Sequence, residues 1–270
     1  MGLIAPPTYV APPALEPHRF GLYSISNMGP DSGRWDLGVE FEPLSGERAA
    51  LRVADCVDDY TPQVELREGE GLVEGIPFVV VGSYVCKAQS RPIEEARERA
   101  ALHLTSGEER AVELAISSGA VSAEPNFTTA TDLTPAGGPL TLTRGIGLLE
   151  EALYELSPSE GAIHAPRAAS AKFSDRAAAQ RYGQHMETVL GTNVAFGAYR
   201  NLGPNGETAD GGFWLYATGT PTVRRGDVFT QPDEDSFLDR ANNTVAIMAQ
   251  RDVLVTWGGP TLAVLVENEG

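Results

Sequence analysis

Cysteine, histidine and lysine are all scarce in this 270-residue chain, and each scarcity narrows the chemistry open to it. The two cysteines, Cys56 and Cys86, are far apart and form no metal-spaced pair. No basic start followed by an apolar core opens the sequence, so no secretory signal is expected and two reduced thiols are the default. A disulfide stays open if the strands carrying them pair. The four histidines, His18, His103, His164 and His185, are scattered. No His-Glu-x-x-His, Cys-x-x-Cys or Gly-x-Ser-x-Gly motif occurs. No run approaches the ~20 continuous apolar residues of a membrane-crossing helix. Positive charge is also short: 20 Lys and Arg stand against 37 Asp and Glu, a net charge of −17. A surface that clamps nucleic acid needs a basic patch to release counterions, so this balance argues against one. Lysine occurs only at Lys87 and Lys172, and every other basic residue is Arg. That bias reads either as a GC-rich coding sequence or as extensive subunit interface, where Arg is enriched and Lys depleted.

The remaining chemical signals have bland readings. Gly145-Ile146-Gly147 lacks the third glycine of a dinucleotide loop and opens a helix, which suits local packing. Asp233-Glu234-Asp235 lacks the other ligands of a calcium loop and reads as a solvated turn. Asn126-Phe127-Thr128 and Asn242-Asn243-Thr244 match glycosylation sequons that have no meaning without secretion.

What is present is apolar material for a sizeable core, with 42% hydrophobic residues, and 29 Gly and 19 Pro that point to turns and sheet. Residues 1–33 read as an arm, because Pro6, Pro7, Pro12, Pro13 and Pro17 favour extended backbone. Its interleaved Tyr9, Leu15, Phe20, Leu22, Tyr23 and Ile25 need a surface, offered either by a partner or by the arm's own domain. Trp35, Leu37, Val39 and Phe41 alternate with mostly polar residues, the period of a half-buried strand. Ile76 to Cys86 is a near-continuous apolar run suited to burial on both faces. Between them lie Asp55, Asp58, Asp59, Glu65, Glu68, Glu70 and Glu74, so a long projecting hairpin is expected.

Residues 92–119 carry the strongest helix signal. Pro92 opens it, Glu94 and Glu95 suit the positive end of the helix dipole, and Gly119 suits the stop. Ile93, Ala96, Ala100, Leu104, Gly107, Ala111, Ala115 and Ser118 form one small-residue stripe, and Glu95 and Arg99 pair at i,i+4. The stripe keeps phase across Gly107, which favours one helix over two, although Ser106-Gly107-Glu108-Glu109 resembles a capping box. A second helix follows, with Thr143 as cap and Ile146, Leu149, Leu153 and Leu156 on one face. Ile163 to Pro166 reads as a short strand or edge, and Ser174 to Tyr182 as a third helix stopped by Gly183. The rest is mostly strand: Asn193–Tyr199, Phe213–Ala217, Pro221–Arg225, Thr244–Gln250, Val253–Trp257 and Thr261–Glu267.

This order of elements resembles the major capsid protein of tailed bacteriophages, whose fold is shared by encapsulin shells. The stretch Ala241 to Trp257 is similar to that family's paired peripheral strands, and Pro260 to Val266 to its closing strand. Gly212-Phe213-Trp214-Leu215-Tyr216-Ala217-Thr218-Gly219 is similar to capsid proteins of phages infecting actinobacteria. The resemblance implies an α+β fold with an N-terminal arm (1–33), an extended β-hairpin loop (34–90), a long spine helix in a peripheral domain (91–138), an axial domain (139–226) and a peripheral return with the closing strand (227–270). It implies a structural protein, not an enzyme, that needs no cofactor or metal. Its copies would form pentamers and hexamers of an icosahedral virion shell, assembled in the host cytoplasm. Portal, separate scaffolding and decoration proteins are the expected partners, and double-stranded DNA the enclosed content, held without specific binding. An encapsulin-type compartment is the near alternative. A hydrolase built on carboxylates such as Asp55, Asp58 and Glu65 is the distant one. Some family members crosslink a hairpin lysine to an asparagine of a neighbour, but residues 34–86 contain no Lys, so a noncovalent shell is expected. Some also carry a long removed scaffolding segment, whereas here the arm follows Met1 at once and no large internal scaffold is expected. Phe20, Tyr23, Trp35 and Phe41 are candidate aromatic anchors between subunits, or, for Trp35 and Phe41, core residues of one subunit. Arg97, Arg99 and Arg110 are candidate partners for a neighbour's acidic hairpin, or solvated helix charges.

Overall fold

The computed structural model describes residues 15–29, 35, 37–43, 71–87, 93–157, 159–209, 211–231, 238–239 and 242–268. The proline-rich start of the arm, the acidic middle of the hairpin with Cys56, Pro92 and the Asp233–Asp235 run lie outside them.

The arm's described part holds a single helical turn, Leu22–Ile25 (α1), and a short strand, Asn27–Met28 (β1). Val39–Phe41 (β2) pairs antiparallel with Val73–Gly75 (β3), forming the base of the hairpin. Phe78–Lys87 (β4) leads to one helix of 26 residues, Ile93–Ser118 (α2). Thr131–Asp132 (β5), Leu142–Leu156 (α3), Gly161–Pro166 (β6) and Ser170–Asp175 (α4) follow. Then come Gln180–Tyr182 (β7), His185–Glu187 (β8), Asn193–Gly197 (β9) and Gly212–Gly219 (β10). Thr222–Arg225 (β11), Phe229–Gln231 (β12), Leu238–Asp239 (β13), Thr244–Thr256 (β14) and Leu262–Glu267 (β15) end the chain's regular structure.

Two sheets organise these elements. In the first, β14 is the hub: β4 runs antiparallel to it from Phe78↔Val253 to Lys87↔Thr244, with β11, β12 and β13 also paired to it. The expected apolar run of Ile76 to Cys86 therefore does not form the hairpin's second limb; the limb is β3. Nor is the run buried on both faces. Phe78 and Val80 are buried, whereas Val79, Val81 and Val85 are exposed, so β4 alternates like a strand with one covered face. The cover is α2. A Cβ at Gly82 would lie 2.3 Å from the Leu104 nitrogen and 2.7 Å from the Ala100 oxygen, so helix and strand touch backbone to backbone.

The α2 stripe holds its phase through Ala96, Ala100 and Leu104 but then passes to Glu108, Val112, Ala115 and Ile116, and Gly107 faces open space. Steps of four residues drift around a 3.6-residue helix, which carries the buried line past Gly107.

The second sheet has the order β5-β15-β10-β6-β9-β8-β7. Its central strands are buried almost throughout, because α3 covers one face and the first sheet's core packs on the other. Ile163–Pro166 thus belongs to an interior strand between β10 and β9, not an edge. Strand β5, which follows α2, and β15, the last strand, join β10 and β6 here, while β11 pairs in the first sheet. α3 is capped by Thr141, not Thr143: the Thr141 hydroxyl accepts from the Arg144 amide at 3.4 Å. Gly145 lies where a Cβ would meet Val266 at 2.8 Å, so Gly145-Ile146-Gly147 is a packing feature. The expected third helix lies earlier. Ser174 falls in the last turn of α4, and residues 180–187 form the β7–β8 hairpin with Gly183 at φ 59°.

Candidate functional site

The strongest concentration of charge lies where the arm crosses α2. Three α2 carboxylates face it. Glu108 is 2% exposed, sits 2.7 Å from Arg251 and 3.3 Å from Arg225, and accepts the Tyr23 hydroxyl at 2.9 Å. Glu109 accepts the Tyr23 amide at 2.9 Å. Glu113 accepts the Leu22 amide at 3.0 Å on one oxygen and the Ala198 amide at 2.6 Å on the other. The first amides of α1 have no intrahelical partner, and these carboxylates satisfy them. Burial pushes Glu113 up to about 7 and raises Glu109 as well, against the pull of the amides. The crossing is tight: a Cβ at Gly21 would lie 2.5 Å from Glu109 Oε1 and 2.7 Å from Glu113 Oε1.

Neighbouring bonds hold the same segment. The Phe20 carbonyl accepts the Phe196 amide at 2.6 Å, with Phe20 itself at φ 64°. Arg167 donates to the carbonyls of Phe196 and Arg19 at 3.1 and 3.2 Å. Beyond α1, β1 extends the first sheet by parallel pairing with β11.

A second buried group sits under this clamp. His164 lies inside an aromatic cluster of Phe127, Tyr199, Tyr216 and Trp257. The Thr218 hydroxyl donates to the Gly219 carbonyl, so His164 Nε2 must be the donor in its 2.9 Å bond to that hydroxyl. His164 Nδ1 then accepts from the Tyr199 hydroxyl at 3.1 Å. Burial lowers its pKa to about 3, so the ring is neutral. This is a satisfied core histidine. Among the described residues no His, Cys, Asp or Glu group could hold a metal ion.

Of the residues singled out in the sequence, Phe20, Tyr23 and Trp35 contact their own chain. Tyr23 packs under the Arg225 guanidinium, 5.3 Å from the ring centre, and Arg181 stands 5.6 Å from the Phe20 ring. Trp35 is 6% exposed and lies against Gly226. Phe41 is half-buried in β2. Arg97 pairs with Glu94 at 3.2 Å and Arg99 with Glu95 at 3.4 Å, along their own helix; Arg110 is exposed. His103 donates to the Ser83 carbonyl at 2.7 Å, tying α2 to β4. Asn126, of the first sequon, is buried and caps the turn Phe127–Thr129 through its side-chain oxygen. Cys86 is a half-buried free thiol. Sequence reasoning missed Glu108, Glu109 and Glu113. Stepping four residues from Ala100 and Leu104 lands on Glu108, which marks its helix face but not the arginines that enclose it.

Large apolar side chains face outward at several places: Leu37, Leu72 and Val73 at the hairpin base, Val79, Val81, Val85, Phe229 and Met248 on the first sheet, and Tyr182, Val189 and Leu190 at the far end of the second.

No protein-family model and no curated protein matches the sequence. Solved structures do match in fold. The capsid of an empty GTA particle aligns with a TM-score of 0.60 at 11% identity, covering 98% of this chain and 96% of that one. A structure of Microbacterium phage Oxtober96 aligns with 0.54 at 13% identity, over 98% and 96%. The holo-SrpI encapsulin complex from Synechococcus elongatus also aligns with 0.54 at 13% identity, over 97% and 93%. Over nearly its whole length this chain thus has the α+β fold of phage capsid and encapsulin shell subunits.

Proposed function

We propose that the chain is the structural subunit of an icosahedral phage capsid, assembling noncovalently around double-stranded DNA. The observation that carries this reading is the end-to-end likeness to capsid structures, at 98% of the chain, in a subunit whose limbs leave apolar side chains uncovered. Its role is geometric rather than catalytic. Arm, hairpin and axial domain reach neighbouring copies in pentamers and hexamers, and closure of the shell makes later contacts effectively intramolecular. Phe20, Tyr23, Trp35, Phe41, Arg97, Arg99 and Arg110, with the acidic hairpin, are the sequence-derived candidates for those contacts. With a net charge of −17 per subunit, the shell repels duplex DNA and lets it slide during packing. Portal, scaffolding and decoration proteins are the expected partners, and the virion, assembled in host cytoplasm, the location.

An encapsulin-type compartment is the second reading, favoured by a fold likeness as high as that to the phage structure. Electron microscopy of the purified protein tests the common claim: closed particles are expected, and a stable solitary subunit counts against it. The contents separate the readings, duplex DNA for a phage and a cargo enzyme for a compartment.

A further inference from the structure

We propose that residues 20–29 form a proton-controlled latch on α2, closed while the Glu109–Glu113 pair holds a proton and released when both carboxylates are ionised. The inference concerns the single subunit and does not depend on the shell reading.

The geometry supplies the reason. Glu109 and Glu113 stand one turn apart on the same helix face, a repulsive arrangement when both are charged. The arm closes over them so tightly that a Cβ at Gly21 would collide with an oxygen of each. Together they have four oxygens. The Leu22, Ala198 and Tyr23 amides donate to three of these. Glu109 Oε2 receives no donor among the described residues, and charge on Glu109 raises the proton affinity of Glu113. The surrounding charges do not neutralise it. His18 from the arm and Arg167 from the turn after β6 are the basic residues near it. Both Arg167 terminal nitrogens already donate to carbonyls. Tyr23 and Tyr199 face it as neutral phenols, held so by burial and by these same carboxylates. Glu108 adds a further negative charge, itself engaged by Arg225 and Arg251.

Opening the arm would return both carboxylates to water and to their ordinary range. The closed form therefore holds up to one more proton than the open form from the ordinary carboxylate range up to about 7, the value to which burial raises Glu113. Rising pH then favours opening, by up to about tenfold per pH unit between the ordinary carboxylate range and about 7, and no further above it.

Hydrogen exchange on the full chain as unassembled subunits, from pH 5 to 9 and corrected for intrinsic rates, tests this. The reporters are the Leu22, Tyr23, Asn27 and Gly29 amides, whose acceptors lie on α2, the arm turn's partners and the β11 edge. Their protection should fall together by up to about tenfold per pH unit between about 5 and 7 and level off above 7, while β14 amides stay unchanged. E109Q keeps the acceptor for Tyr23 but cannot ionise, and should weaken the dependence. E113Q should remove it, and H18Q should leave it intact. Flat protection in the unaltered chain, a slope that survives both glutamine variants, or one that vanishes in H18Q would overturn the latch.

Discussion

Glu108 shows how far a single side chain can depart from its surface stereotype. Its carboxylate is buried between two arginines and a tyrosine, so removing it leaves Arg225 and Arg251 uncompensated. Breaking such a pair costs about 3–5 kcal/mol, against about 0–1 for an exposed pair such as Arg97–Glu94. E108A is therefore expected to lower the urea midpoint sharply and E94A to leave it nearly unchanged. A similar loss in both would show that Glu108 is not the anchor its burial indicates. His164 gives the acid-side counterpart. Its folded pKa of about 3 lies below the ordinary 6.5, so the unfolded chain binds the extra proton between those values. Its contribution is complete above 6.5 and is lost as pH falls toward 3, by a few kcal/mol in all. Urea midpoints measured between pH 4 and 7 should fall less steeply toward acid in H164Q than in the unaltered chain. An equal slope would place the acid sensitivity elsewhere. Neither role was legible in the sequence. A glutamate in a capping-box pattern and a lone histidine carry the same letters whether solvated or enclosed, and only the tertiary neighbours decide.

The elements were more legible than their partners. Periodicity gave α2 as one helix and the strands β9, β10, β11 and β15, because those signals are local; it also ran the alternation through Leu37, which is 90% exposed ahead of β2, and divided the single strand β14 into Thr244–Gln250 and Val253–Trp257. It could not show that β4 pairs with β14, some 160 positions away, since a period of two specifies a face and not a neighbour. It also misjudged Ile163–Pro166 and Ser174–Tyr182, where burial between strands and a two-strand hairpin overrode local propensity. The two glycines at the helix–strand contact separate pattern from packing. Gly82 admits no Cβ because Leu104 and Ala100 backbone atoms occupy the space, whereas Gly107 on the same helix faces nothing within 4 Å. G82A is expected to destabilise the subunit by about 3 kcal/mol. G107A should stabilise it by about 0.5–1 kcal/mol, the ordinary cost of glycine in a helix. Thermal unfolding of the two variants reads both signs, and a stable G82A would mean that α2 and β4 are not in backbone contact.

At the scale of the whole molecule, the sequence resemblance anticipated the architecture, while the apolar side chains left uncovered emerge only from the folded subunit. Val189 and Leu190, 82% and 77% exposed, lie just after β8 at the far end of the second sheet. Charge there removes no contact within the subunit, so V189D and L190D should each change its stability by no more than about 0.5 kcal/mol. In a shell the same substitution recurs in every copy, and a loss of about 1 kcal/mol per subunit contact multiplies across the symmetric contacts that closure requires. These variants are therefore expected to raise the concentration needed for particle formation by roughly tenfold or more, read by light scattering, with the subunit's thermal midpoint unchanged. Particles would still dissolve to a single 28.7 kDa band on boiling in detergent. That follows from a hairpin segment without lysine, and a covalent ladder would contradict it. If V189D and L190D assemble as readily as the unaltered chain, this end of the second sheet is not part of the shell contact, and the exposed valines of β4 become the surface to alter.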